Sequence, residues 1–136
     1  MNKKLIGAVA MFLLSSSMLI GQKNKIYEIK SPGGNINLHI EAGAKLIWSV
    51  QSDGQQIIAP SSISLQLTGG EVLGGNVRVL STKTDKIDNM ITPVNYKKST
   101  IHDQCNQFTI SFKGDYGLIF RAYNEGVAYR FFTKRK

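Results

Sequence analysis

The chain is poor in the residues that staple a fold or hold a metal. It has one cysteine, two histidines and one tryptophan among 136 residues. A single cysteine excludes a disulfide framework and any cysteine-rich zinc module. Proline is scarce too, at 3 residues, and Asp and Glu number only 9 against 17 Lys and Arg. The length excludes two ordinary domains, and a (β/α)₈ barrel of about 250 residues cannot fit. Beyond residue 21 no stretch shows the apolar spacing of a helix. Apolar residues nevertheless make up 42% of the chain in short runs, which excludes a disordered protein. The formal charge of +8 would by itself suit an anionic partner.

The N-terminus accounts for part of that charge. Asn2-Lys3-Lys4 is a short basic start, Leu5 to Gly21 is apolar or small, and Gln22-Lys23-Asn24-Lys25 is abruptly polar. This is the order of a secretory signal peptide over residues 1–21, cut after Gly21. The apolar run is short for a membrane span of roughly 20 residues, so no stable membrane anchor is expected. No cysteine follows it to take a lipid. Without Lys3, Lys4 and the terminal Lys134-Arg135-Lys136 the basic excess is small, and an exported chain seldom meets nucleic acid. The expected location is exported, periplasmic or secreted.

From residue 22 onward the chain reads as strands. Ile36, Leu38, Ile40 and Ala42 alternate with polar residues, and Ala44, Leu46, Trp48 and Val50 alternate with Lys45, Ile47, Ser49 and Gln51. Gly43 lies between these runs, where it can take a positive φ at a tight turn. Asp53-Gly54 is a hairpin signal. Ile57-Ile58 and the run Ile63, Leu65, Leu67 follow, separated by Pro60, which cannot donate to a central ladder. Val77 and Val79 start another strand, which can run on to Thr84. Asp85 to Lys98 contains Pro93 and no sustained period, which predicts a long loop. Phe108, Ile110 and Phe112, then Leu118, Phe120 and Ala122, then Val127, Tyr129 and Phe131 give three more alternating strands. Short strands between Gly and Asp turns predict an all-β, antiparallel sandwich in one domain over 22–136.

Chemistry has few candidates. Of the acids Glu28, Glu41, Asp53, Glu71, Asp85, Asp88, Asp103, Asp115 and Glu125, most fall at turns or on wet strand faces. Asp85 and Asp88 are close in sequence, but a loop fixes no geometry between them. His39 sits on a polar strand face, and His102 lies in or near a loop; two isolated histidines do not meet metal-ligand spacing. Cys105 has no visible base to activate it and reads as a small strand residue. Gly69-Gly70 and Gly74-Gly75 precede no helix, so they read as turns and not as a phosphate cradle. Trp48 shares a face with Leu46 and Val50 and is expected in the core rather than on a sugar-stacking platform. The residues thus assign no catalytic, cofactor-binding or metal position.

Five segments carry a resemblance. They are Ser31-Pro32-Gly33-Gly34-Asn35-Ile36; Trp48-Ser49-Val50 with Asp53-Gly54-Gln55-Gln56-Ile57-Ile58; Ser61-Ser62-Ile63-Ser64-Leu65; Leu73-Gly74-Gly75-Asn76-Val77; and Arg121-Ala122-Tyr123-Asn124-Glu125-Gly126-Val127-Ala128-Tyr129-Arg130. In this order they resemble the start of glycoside hydrolase family 97 proteins, the last segment following a pattern Arg-Ala-Tyr-Asp-Asp-Gly-Val-Ala-Phe-Arg. The resemblance covers nearly all of Ser31 to Phe132.

That resemblance implies exported enzymes that act on α-glucosides or α-galactosides with calcium in the active site. It implies an N-terminal super-sandwich, similar to galactose mutarotase, placed before a catalytic barrel. This chain matches only the first part of that sandwich. The family's catalytic carboxylates belong to the barrel, and its calcium ligand from the N-terminal domain lies beyond the matched region. The chain departs from the pattern at Asn89-Met90-Ile91-Thr92, at Lys97 and in the short approach Asp115-Tyr116-Gly117, and ends at Lys136 where the family continues. Those departures suggest a truncated or decayed relative. The expected function is a non-catalytic N-terminal piece of such an enzyme, with carbohydrate as the parent's partner and no cofactor in this chain. A free-standing exported carbohydrate-binding sandwich and an adhesion-type domain are the alternatives. An uncovered last strand would also favour self-association through its open edge.

Overall fold

The computed structural model of the chain describes residues 24–94, 97 and 99–135. The expected signal peptide therefore lies outside the described residues. Ten strands follow in order: β1 Lys25–Lys30, β2 Ile36–Ala42, β3 Leu46–Ser52, β4 Gln55–Ser62, β5 Leu65–Gln66, β6 Val72–Leu73, β7 Val79–Ile91, β8 Ile101–Phe112, β9 Tyr116–Tyr123 and β10 Gly126–Thr133. They form one four-stranded sheet ordered β1-β2-β3-β4, a second ordered β10-β9-β8-β7, and the small hairpin β5-β6. Every named pairing is antiparallel.

Alternation fixes which face turns inward. On β2, Ile36, Leu38, Ile40 and Ala42 are buried; on β9, Tyr116, Leu118, Phe120 and Ala122 are. The two sheets pack face to face with β2 over β9 and β1 over β8. Between them Leu38, Ile40, Leu46, Ile110, Phe112, Leu118 and Phe120 are almost wholly enclosed. Trp48 packs against this core, half-buried, with its ring edge-on to Tyr129 at 5.2 Å between centroids. The core placement expected for Trp48 holds, as does that for Val127 and Phe131. The fold is an antiparallel β-sandwich, as the alternation implied.

Asn side chains add polar stitches between the sheets. Asn106 Nδ2 donates to the Lys30 carbonyl at 2.7 Å. Asn124, in the β9–β10 turn, accepts from the Gly33 N–H at 2.7 Å and receives Asn35 Nδ2 on its own carbonyl at 2.8 Å. A Cβ on Gly33 would lie 2.9 Å from Asn124 Oδ1, so a larger residue there would make the Asn124 side chain shift.

Four sequence expectations need correction. The first half of the loop expected over Asp85 to Lys98 is a strand: β7 runs to Ile91, paired along its length with β8, and irregular chain begins only at Thr92, with residues 95, 96 and 98 outside the described residues. Most of β7 is exposed, so its pairing rests on backbone bonds and leaves no apolar period to read. His102 consequently lies within β8, not in a loop. Pro60 does not separate two strands; it sits inside β4, an edge strand, where the register with β3 shifts between Trp48 and Val50. An edge bulge tolerates the missing donor. Gly43 keeps an ordinary φ, and its neighbour Ala44 is an exposed turn residue, with β3 starting only at Leu46. The Asp53-Gly54 hairpin is as expected: both residues have positive φ, 49° and 79°, which suits the right-handed twist of the strands.

The C-terminal tail is tied down by charge. Arg135 grips Glu71 with both terminal nitrogens, at 2.6 and 2.7 Å, and donates from Nε to the Gly114 carbonyl at 3.0 Å. The bond from Arg135 lowers the Glu71 carboxyl below its ordinary value. A lowered acid pKa contributes stability above the ordinary glutamate range and loses it as pH falls through the lowered value. On acidification the tail should release while the sandwich stays intact. The Arg135 side-chain Nε–H resonance reads this: it should move toward its free position at acid pH in the native chain. In Glu71→Gln it should sit near that position at neutral pH already. A native signal unmoved by acid would show that the pair does not hold the tail.

Gly117 gives a second expectation. A Cβ there would collide with the Ile110 carbonyl oxygen and lie 2.6 Å from the Phe132 ring. Gly117→Ala should cost about 1–3 kcal/mol through overpacking. Gly126 has open space around it, so Gly126→Ala should be near neutral. Denaturant unfolding of the two variants checks the contrast, and equal midpoints would contradict it.

Candidate functional site

The candidates of the sequence are scattered over the sandwich. His39, on the outer face of β2, stands 3.6 Å from Glu28 and 3.4 Å from Glu41. His102 pairs with Asp88 at 2.5 Å, and Gln104 donates to the same carboxylate at 3.3 Å. These bonds, His102 first, lower the Asp88 carboxyl. Asp85 pairs instead with Lys83, on the opposite face of β7, so Asp85 and Asp88 do not act together. Gly69-Gly70 turns the β5–β6 hairpin. Gly74, with φ 96°, lays its strand against the β2–β3 turn through a Leu46 N–H bond to its carbonyl. Both glycine pairs are structural, as read.

One cluster escaped the sequence reading. The outer face of β8 and β9 carries Asp103, Cys105 and Gln107 on one strand and Arg121 and Tyr123 on the next. Register places Gln107 directly across from Arg121. Arg121 donates from Nε to Gln107 at 2.9 Å and from Nη1 to Asp103 and to the Tyr123 hydroxyl, both at 3.3 Å. Tyr123 in turn donates to Asp103 at 3.0 Å. Asp103 is the most enclosed carboxylate in any ion pair among the described residues, with its side chain 12% exposed. It is not the wet surface acid the sequence suggested. Burial pushes both the Cys105 thiol and the Tyr123 phenol up, so neither is poised to ionise. Cys105 is an enclosed strand residue, as expected. The alternation at 103, 105 and 107 is readable in the sequence, but placing His102-Asp103 in or near a loop obscures it.

Beside this network lies a shallow cavity of about 280 Å³, lined by Ile119, Arg121, Tyr123, Ala128, Tyr129 and Arg130. Ala128 stands directly across from Arg121, and its small side chain leaves the space open. Among the described residues, Arg121 Nη2 and the whole Arg130 guanidinium have no hydrogen-bond or ion-pair partner.

The family resemblance implies calcium in the active site of the complete enzyme. Calcium takes six to eight oxygen ligands. Among the described residues no group of three or more His, Cys, Asp or Glu could hold a metal ion.

Comparison with known proteins places the chain. Residues 29–136 match the family model described as the glycosyl-hydrolase 97 N-terminal region. A retaining α-galactosidase of Bacteroides thetaiotaomicron is 37% identical over 115 residues, which is 85% of this chain and 17% of that protein. A glycoside hydrolase family 97 enzyme from Pseudoalteromonas sp. strain K8, solved with acarbose, matches with a TM-score of 0.69 at 19% identity. That match covers 81% of this chain and 18% of the enzyme. A β-arabinopyranosidase structure matches at 0.71 and 22% identity over the same share of this chain. The chain thus spans less than a fifth of the relatives it matches. The sandwich and these matches agree: the chain belongs to glycoside hydrolase family 97 and matches its N-terminal region.

Proposed function

We propose that this chain serves as a non-catalytic N-terminal module of an exported α-glycosidase, whose complete form hydrolyses α-galactosides or α-glucosides with calcium in its active site. The carrying observation is the 37% identity over 85% of this chain, against 17% of a retaining α-galactosidase. Glycoside hydrolysis takes two carboxyls about 5–10 Å apart across the bond, one of them protonated. Here the enclosed carboxylate, Asp103, is already committed to Arg121 and Tyr123. Asp88 is lowered, the wrong direction for a general acid. The purified chain should therefore release no product above background from aryl α-galactosides or α-glucosides, with or without calcium. Turnover abolished by changing one carboxylate of this chain would refute a non-catalytic role.

Export rests on Lys3-Lys4 followed by the Leu5 to Gly21 run. N-terminal sequencing of the protein from the cell envelope or medium should begin near Gln22. An intact Met1 on cytoplasmic protein would argue against export.

A further inference from the structure

We infer that the outer face of β9 and β10 binds a carboxylate-bearing saccharide, a uronic acid unit, in the cavity between Arg121 and Arg130. Gln107, Asp103 and Tyr123 occupy Nε and Nη1 of Arg121 and so fix the plane of its guanidinium. A fixed plane with a free Nη2 is pre-organised for an oxyanion, because little side-chain freedom is left to lose on binding. Arg130 adds a second guanidinium with no partner among the described residues. Of the three charges at the cavity, Asp103 cancels one, which leaves a single positive charge for one carboxylate to neutralise. Charge-assisted donation from Arg121 Nη2 on one side and Arg130 on the other favours an ionised carboxylate over a neutral hydroxyl.

The remaining lining argues for a ring behind the carboxylate. Ile119 and Ala128 give the cavity a small apolar floor, and Tyr123 borders it with a ring and a hydroxyl. Such a mixture suits a sugar, which offers one apolar face and a rim of hydroxyls. The volume of about 280 Å³ suits one unit rather than a chain. The choice of a saccharide among carboxylates rests on the proposed place of this chain in a glycan-degrading enzyme. The anion contact itself does not, and the hydrolysis assay reports on that place separately.

The test is a ¹H–¹⁵N NMR titration of the full purified chain with galacturonate, galactose and acetate. Galacturonate should shift the amides of Ile119, Arg121, Ala128 and Arg130 saturably. Acetate should do so about tenfold more weakly, and galactose not at all. Arg130→Gln, at an exposed position, should weaken galacturonate binding about tenfold with the rest of the spectrum unchanged. Ala128→Leu should abolish binding by filling the cavity. A galactose response equal to that of galacturonate, an acetate response equal to it, or undiminished binding in Arg130→Gln would each overturn the assignment.

Discussion

The whole sandwich hangs on one apolar seam. Side chains on a strand alternate between faces, so a residue shifted by one position would trade core for water along the entire strand. Leu38 and Ile40 from the first sheet meet Ile110, Leu118 and Phe120 from the second, all almost fully enclosed. Each such side chain contributes roughly 1.5–3 kcal/mol on burial. Register in β2, β3, β8 and β9 is therefore held by the core itself. The edge strands β4 and β7 lack that hold: the ladders of both carry register shifts, and β7 has a long exposed run.

Polar stitches decide how the two sheets sit once the seam has formed. Ser31 Oγ receives the Ile36 N–H and donates to Asn35, which shapes the β1–β2 turn. Asn124 then docks onto Gly33 and Asn35 from the other sheet. The first and last of the segments that carry the family resemblance are thus in direct contact, although about ninety positions separate them in sequence. Their pairing gives both a structural reason to belong to one pattern.

How far the sequence disclosed this structure depended on burial contrast. Where one face is enclosed and the other wet, as in β2 and β9, the period of two was plain. In β1 the apolar residues stand at Ile26, Tyr27 and Ile29, which breaks alternation, and Ile26 proves 60% exposed. Alternation therefore does not mark that strand in the sequence. In β7, Leu80 and Met90 are exposed as well, so hydrophobicity carried no information about which way they point. Backbone pairing with β8 makes the strand, and side chains record little of that. The Arg121 cluster was hidden for a related reason. Asp103 reaches Arg121 only through the β8–β9 register, a fact about strands that had first to be found.

The segment from Arg121 to Arg130 shows why a family pattern can carry a fold and yet assign no reaction. Ala122 is fully enclosed and small, which lets β9 lie close under β2. Asn124 clamps the opposite sheet, and Val127 and Tyr129 pack toward the core and Trp48. These positions do structural work on the inner side. Arg121, Ala128 and Arg130 share the outer side, where no packing demand accounts for two guanidinium groups around an alanine. Register sets Ala128 across from Arg121 and Ile119 across from Arg130, so the two guanidinium charges lie diagonally and are not directly opposed. Asp103 offsets the charge of Arg121, and nothing among the described residues does so for Arg130. The outer side of this segment therefore carries a charge that the inner packing does not use.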